Sequence, residues 1–317
     1  MYLALSIITG GLISIMIQAN GELQALVGAV PSLIAIHLVG LATIGAVTVA
    51  IVGIPALMGG IRRSGTREAV GTAGPAAEVA PSTAPRWFLA AGILGVVVVF
   101  MSNEVYRRGG VVLTLMGTLA GQALAAALLE RSRFFDGRKS PVLQRALSLV
   151  LILPGAAAIG LWSGVGPLWV FLSWLPGGVL MLQSMMNSRN ALRYGQRRMV
   201  MFNYLSALSA LVILIVIDPP LMSGALTTIP TAPIPILFGG GLLGVLVVGL
   251  SSFLLNRAPA MQVVLGLYTG QITIGILLDA LSNRPLALQN IAGVAMVVAG
   301  LITGEVSRFR ERSRRAV

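Results

Sequence analysis

The chain has 317 residues, of which 56% are hydrophobic and 10% charged, and its formal net charge is +12. A soluble domain carries roughly a quarter charged residues, so this composition leaves no polar coat and excludes an ordinary globular protein. There is no cysteine, which excludes disulfides and thiolate metal sites. Nearly all the positive charge flanks apolar runs, so it reads as membrane topology and not as a nucleic-acid surface.

Runs long enough to cross a bilayer, about 20 residues of helix, recur along the whole chain. They lack the period-two alternation of barrel strands, and a helix satisfies its own backbone hydrogen bonds in hydrocarbon. In chain order the expected spans are residues 2–20, 30–57, 87–105, 110–130, 146–163, 167–186, 199–217, 236–255, 260–280 and 286–305. The first has no basic n-region and runs straight into a second apolar segment, so it reads as a retained helix and not a signal peptide. Ten spans put both termini on one side. With the basic tail (residues 307–317) in the cytoplasm, 19 of the 22 Lys and Arg lie on that side, and only Arg107, Arg108 and Arg284 lie outside. The positive-inside rule requires such a bias. The expectation is a multi-pass inner or plasma membrane protein with both termini cytoplasmic, its tail held to anionic lipid.

The chain is also duplicated. GTLAGQALAAALLE (117–130) aligns without a gap on GLYTGQITIGILLD (266–279); both keep Gly-x-x-x-Gly-Gln, Leu-Leu and a closing acid. Gly10-Gly11, Asn20 and Gly28 recur at the same spacing as Gly177-Gly178, Asn187 and Gly195. Five spans per half is an odd number, so the second half should enter the membrane from the opposite side. The expected fold class is an all-α integral membrane protein of ten transmembrane helices, built as two inverted five-helix repeats. Such repeats form matched inward and outward gates around a central site. Residues 1–163 form the first repeat, with a Gly-, Pro- and Ala-rich cytoplasmic linker at 61–86. Residues 164–306 form the second.

Few polar residues fall inside the spans, and each needs a partner. Gln122 and Gln271 sit near mid-span, where an unpaired amide costs roughly 2–7 kcal/mol; they line a cavity or tie helices together. The Gly-x-x-x-Gly pairs (Gly117 with Gly121, Gly266 with Gly270) permit close helix contact. Gly10-Gly11 and Gly177-Gly178 permit either close packing or a local break in the helix. Asn20 and Asn187 are expected at helix ends, as caps or as binding groups. Gln18, Gln183 and the methionines around it complete the candidate substrate-binding set. His37, the only histidine, is an intramembrane ionisable group and so a candidate for substrate or proton handling. Glu130 and Asp279, at equivalent ends of the fourth and ninth spans, are candidate gate or proton-coupling residues, or else interfacial partners of Arg131, Arg133 or Arg284.

No Asp, Glu, Lys or Arg lies deep in a span, which favours a neutral or weakly polar small-molecule substrate over a bulky cation. The chain has one His, no HExxH and no Walker Gly-x-x-x-x-Gly-Lys, so neither a zinc hydrolase nor an ATP-driven machine is expected. No catalytic residue, cofactor or metal is expected either. The competing reading is a membrane scaffold that organises lipid or partners without transport.

The half-repeat resembles the YdcZ-type proteins of the drug/metabolite transporter superfamily. Their pattern is a Gln four residues before an Asn on the first helix, then a Gly-Gln followed by an acid closing the fourth. The second half matches with Gln183, Asn187, Gly270, Gln271 and Asp279; the first matches with Asn20, Gly121, Gln122 and Glu130. It departs at Met16, where the Gln would fall. The resemblance spans nearly the whole chain as a fused double unit. It implies a ten-helix fold with a central cavity between the halves, and a secondary transporter of small metabolites or drug-like molecules, with export the expected direction. Small multidrug relatives use a buried glutamate on the first helix to exchange protons for cations. That mechanism does not carry over, because the corresponding helix offers only Gln18 and Asn20. A fused double unit need not dimerise to complete its pathway, so a monomer or a homodimer is expected.

Overall fold

A computed structural model describes residues 1–53, 85–129, 142–162, 165–223 and 228–281, with Ala295 and Ala299. Among these residues the chain is all helix and turn. The elements are α1 (Tyr2–Val27), α2 (Ala29–Thr48), α3 (Ala91–Leu129), α4 (Val142–Trp162), α5 (Pro167–Leu172), α6 (Leu175–Tyr194), α7 (Gln196–Ile217), α8 (Ile234–Leu255) and α9 (Ala260–Leu281). Six helical stretches within the described residues are long and apolar enough to cross a membrane. Their outward faces are apolar too: Val216, Ile217 and Ile234 are each about three-quarters exposed. Water would penalise such a surface and lipid does not.

The helix breaks are made by glycine. The third and fourth expected spans form the single element α3, interrupted at Gly110, where φ is 74° and ψ −170°. Gly28, between α1 and α2, and Gly195, between α6 and α7, adopt nearly the same conformation, at φ 90° and 83°. A side chain is strained at such angles and glycine is not. The sixth expected span divides into α5 and α6 at Ser173 and Trp174.

Two expectations are corrected. Asn20 does not end its helix, since α1 continues to Val27, and Asn187 likewise lies inside α6, about two turns before Gly195. Hydropathy lost these helix ends because the last turns are polar but still helical. The glycine pairs do not break α1 or α6, both of which run unbroken through them.

Those pairs instead let backbones touch. Where α1 meets α9, a Cβ on Gly10 would lie 1.7 Å from the Leu267 carbonyl oxygen, and one on Gly270 would lie 1.8 Å from that of Ile7. Where α3 meets α6, a Cβ on Gly177 would lie 1.9 Å from the Thr118 carbonyl oxygen, and one on Gly121 would lie 1.8 Å from that of Trp174. Leu267 aligns with Thr118 in the repeat, and Ile7 with Trp174, so the two crossings match contact for contact. The same register pairs Gly92 with Gly241: their added Cβ atoms would meet the carbonyl oxygens of Asn203 and Ile36, at 1.7 and 2.7 Å. Small residues that admit a neighbouring backbone are the usual solution for helix packing in lipid.

The largest apolar cluster draws Ile13, Leu119, Met181, Leu254, Val263 and Tyr268 from α1, α3, α6, α8 and α9. Apart from Ala295 and Ala299 the tenth expected span lies outside the described residues, as do the basic tail, Glu130 and almost all of the linker.

Candidate functional site

A cavity of about 90 Å³ lies between α1, α2, α3, α6, α7 and α8, so both halves build its walls. Its polar lining is Asn20, His37, Ser102, Asn103, Thr118, Gln183, Asn203 and Tyr204. Among the described residues no carboxylate, lysine or arginine lines it.

The second half supplies a carboxamide cluster. Asn203 Oδ1, on α7, accepts a hydrogen bond from Gln183 Nε2 at 3.0 Å and another from Asn187 Nδ2 at 3.1 Å, both on α6. Glycines make the room. A Cβ on Gly95 would lie 2.6 Å from Gln183 Nε2, and Gly92 admits the Asn203 backbone. Across the cavity, Asn20 Oδ1 lies in a cradle left by Gly240, whose Cβ would fall 1.9 Å from it. Neither Asn20 Oδ1 nor Thr118 Oγ1 has a hydrogen-bond partner, although both are buried. A buried polar atom left so costs about 1–3 kcal/mol, and at these two residues the cavity offers room for a group that would pair it.

His37 and Tyr204 meet edge to face in the cavity wall, with ring centroids 5.7 Å apart. They occupy equivalent positions in the repeat register that pairs Gly28 with Gly195. The Leu33 carbonyl oxygen accepts a 2.7 Å hydrogen bond from His37 Nδ1. A carbonyl can only accept, so Nδ1 carries the hydrogen and Nε2 is the ring's other polar atom. Gly40 admits the tyrosine, since a Cβ there would lie 2.1 Å from its ring.

From Asn103 a polar chain leads to the surface. Asn103 Nδ2 donates to Gln24 Oε1 and Gln24 Nε2 donates to Glu104 Oε1, each at 2.9 Å. Glu104 pairs with Arg107 at 3.2 Å and also with Arg108. The Arg108 guanidinium lies 3.8 Å over the Trp169 ring of α5, joining the two halves.

A smaller cavity of about 20 Å³ shares Ile13, Leu180 and Val247 with the first, and Gln122 and Ser184 line it. Gln122 Nε2 has no partner. Gln271 is fully buried, lines neither cavity, and neither of its amide atoms is paired. Its backbone oxygen accepts from Ser14 Oγ at 2.9 Å, where α1 and α9 meet.

The structure thus brings Asn20, His37 and Gln183 to one cavity, sets Asn187 behind them through Asn203, and puts Gln122 beside a neighbouring void. Gln18 donates to Glu22 Oε1 at 2.9 Å within α1 and lines neither cavity. Glu130 and the Asp279 side chain lie outside the described residues. Asn203, Tyr204 and Thr118 escaped the sequence reading. Extending the Asn20–Asn187 register through Gly28 and Gly195 would have placed Tyr204 opposite His37. Asn203 faces Ile36 in that register, so a search for conserved pairs between the halves passes over it. Among the described residues no three His, Cys, Asp or Glu side chains gather as metal ligands.

One solved structure, titled only "Crystal structure of protein", aligns over 98% of this chain and 96% of its own with a TM-score of 0.59 and 14% identity, and so shares the fold. No curated protein matches the sequence. The profile of a family described as "Putative inner membrane exporter, YdcZ" matches residues 1–158 and again 168–303. Two family segments in tandem, in a chain of apolar spanning helices, account for the internal repeat. The chain belongs to the YdcZ family of inner membrane exporters, as a fused double unit.

Proposed function

We propose that this protein is a secondary active exporter of a small metabolite or drug-like molecule, working by alternating access at the cavity between its halves. In this reading the chain crosses the membrane ten times, both termini are cytoplasmic, and the halves are inverted copies about an axis in the membrane plane. The observation that carries it is the cavity itself: both halves wall it, and its buried Asn20 and Thr118 oxygens have no partner. The matched crossings of α1 with α9 and of α3 with α6 support a two-fold relation between the halves, and the odd number of spans expected in each half places its axis in the membrane plane. A monomer would complete such a pathway, and a homodimer would hold two. Glu130 and Asp279 serve as gate or proton-coupling residues at opposite mouths, and the basic tail holds anionic lipid.

The absence of cysteine makes a direct test simple. Single cysteines at Met16 and Val248, both lining the cavity, are introduced into the full chain in oriented proteoliposomes. Membrane-impermeant maleimide is expected to label each from either side of the bilayer, at rates that differ between sides. Labelling from one side only would overturn alternating access, and no labelling from either side would favour a scaffold. Glu130→Gln and Asp279→Asn are expected to flatten the pH dependence of flux; an unchanged profile would remove both from the mechanism.

A further inference from the structure

The cavity has two unlike walls, and their difference specifies a ligand chemistry. Align the halves through Gly10 with Gly177 and Gly28 with Gly195. Gln183 then stands where the first half has Met16, and Asn203 where it has Ile36. All four line the cavity. At these two positions the second half places carboxamides, paired with each other, and the first half a thioether and an aliphatic group. Gly95 and Gly244 correspond in the same way: an added Cβ would lie 2.6 Å from Gln183 Nε2 at the first, and at the second 2.5 Å from the Tyr204 hydroxyl, with Met16 Sδ 3.8 Å away. The backbone seat is shared by the two halves, and at Gly244 the Tyr204 hydroxyl takes the place that the Gln183 amide takes at Gly95.

The charge state of the ligand follows from what is missing. Among the described residues no ionised side chain lines the cavity, and the nearest acid on the polar chain, Glu104, is already paired with Arg107 and Arg108. An ammonium or carboxylate entering here would leave water without gaining a counter-ion, a cost of several kcal/mol or more. A hydrocarbon would leave Asn20 Oδ1 and Thr118 Oγ1 as unpaired as they are now. Both oxygens accept, and the threonine hydroxyl also donates. What satisfies them is an uncharged group carrying N–H or O–H together with an acceptor.

We propose, resting on the reading of this cavity as the transport site, that it binds a neutral amphiphile. Its amide- or hydroxyl-type head is seated on Asn20, Thr118 and the Gln183–Asn203 pair, and its apolar body lies against Met16 and Ile36. The volume of about 90 Å³ holds on the order of half a dozen water positions, which suits a body of about one ring. At these two duplicated positions the halves therefore differ in role: the second presents carboxamides to the head and the first presents apolar groups to the body, while Asn20 and Thr118 of the first half complete the seat of the head.

The test uses three probes of one shape, benzamide, benzylamine (an ammonium at pH 7) and benzoate, against the purified full chain in detergent. Benzamide is expected to raise the thermal unfolding midpoint in a saturable way, and the two ions to leave it unchanged. Gln183→Met, which gives the second half the first half's residue, is expected to weaken benzamide at least tenfold. Thr118→Val removes the unpaired hydroxyl without breaking a hydrogen bond and is expected to weaken benzamide as well, so the test survives if Gln183→Met fails to fold. Gly178→Ala, outside the cavity lining and clear of its neighbours, is expected to keep the affinity within threefold. An ion that stabilises as well as benzamide, a panel silent into the tens of millimolar, or losses no larger in Gln183→Met and Thr118→Val than in Gly178→Ala would overturn the proposal. Proteoliposome flux separates it from the reading on which it rests. Benzamide binding without flux of any neutral probe would sink transport and keep the site, whereas flux of the ions alone would do the reverse.

Discussion

The glycine crossings and the cavity walls come from the same duplicated helices, and the two halves treat them differently. At the crossings they agree down to the atom approached: Gly10 and Gly177 each press on a carbonyl oxygen, and so do Gly121 and Gly270. In the cavity they part, with Met16 facing Gln183, Ile36 facing Asn203, and His37 facing Tyr204. A crossing has only one solution, because a carbonyl oxygen under 2 Å from an added Cβ leaves no alternative to glycine. A cavity wall tolerates any side chain whose polar atoms are paired or reached by a ligand. Duplication therefore preserves the frame while leaving the lining free to specialise.

Substitution at a crossing should produce the largest effect. Gly121→Val or Gly270→Val drives a side chain into backbone, and we expect a loss of about 3 kcal/mol or more, seen as aggregation in detergent gel filtration. Gly178 belongs to the same pair as Gly177, but an added Cβ would lie 3.8 Å from its nearest neighbour. Gly178→Ala should stay within about 0.5 kcal/mol, and a large loss there would show that the crossings are not set by backbone approach. On the wall, Asn203→Leu strands the Gln183 and Asn187 amide donors, at about 1–3 kcal/mol each. Its counterpart Ile36→Asn strands no donor already present, and its new amide borders the cavity, where water can pair it, so its thermal midpoint should fall by less than that of Asn203→Leu; equal falls would erase the contrast between the walls. Exchanging the ring pair, as His37→Tyr with Tyr204→His, should recover about 0.5–1.5 kcal/mol of what the single changes lose, read by a double-mutant cycle in thermal unfolding. A small effect is also expected from Trp169→Ala, which removes the Arg108 stack and costs about 0.5–1 kcal/mol at so exposed a site. Arg108→Ala loses the pairing with Glu104 as well, and the double variant should cost little more than Arg108→Ala alone.

Much of this was legible in the sequence, for identifiable reasons. Helices in lipid announce themselves by hydropathy, so the expected spans 146–163, 199–217, 236–255 and 260–280 lie within a few residues of α4, α7, α8 and α9, and the glycine pairs located the crossings because nothing larger fits there. The ends of α1 and α6 were not legible, since Gln24 and Asn190 are polar residues buried inside the bundle and imitate a helix terminus. The site was half legible. Asn20, His37 and Gln183 stood out as polar residues in apolar surroundings, and all three line the cavity. Gln271 stood out equally and lies at a crossing, because a one-dimensional pattern fixes depth in a span without fixing which way a side chain faces. Asn203 was missed for the opposite reason: it carries the difference between the halves, and a repeat is recognised by what stays the same.

The crossings also bear on how the chain assembles as it is made. The glycine face of α1 is complementary to α9, and that of α3 to α6, so each contact joins one half to the other. When α1 leaves the ribosome its partner helix is still nearly the whole chain away, and the narrow strip of backbone prepared for it has only lipid or the insertion machinery to touch. The first half cannot finish folding early; it must be held open in the bilayer until the ninth helix arrives. Two separately synthesised halves should then interlock as readily as one chain, provided that each is inserted in the correct sense.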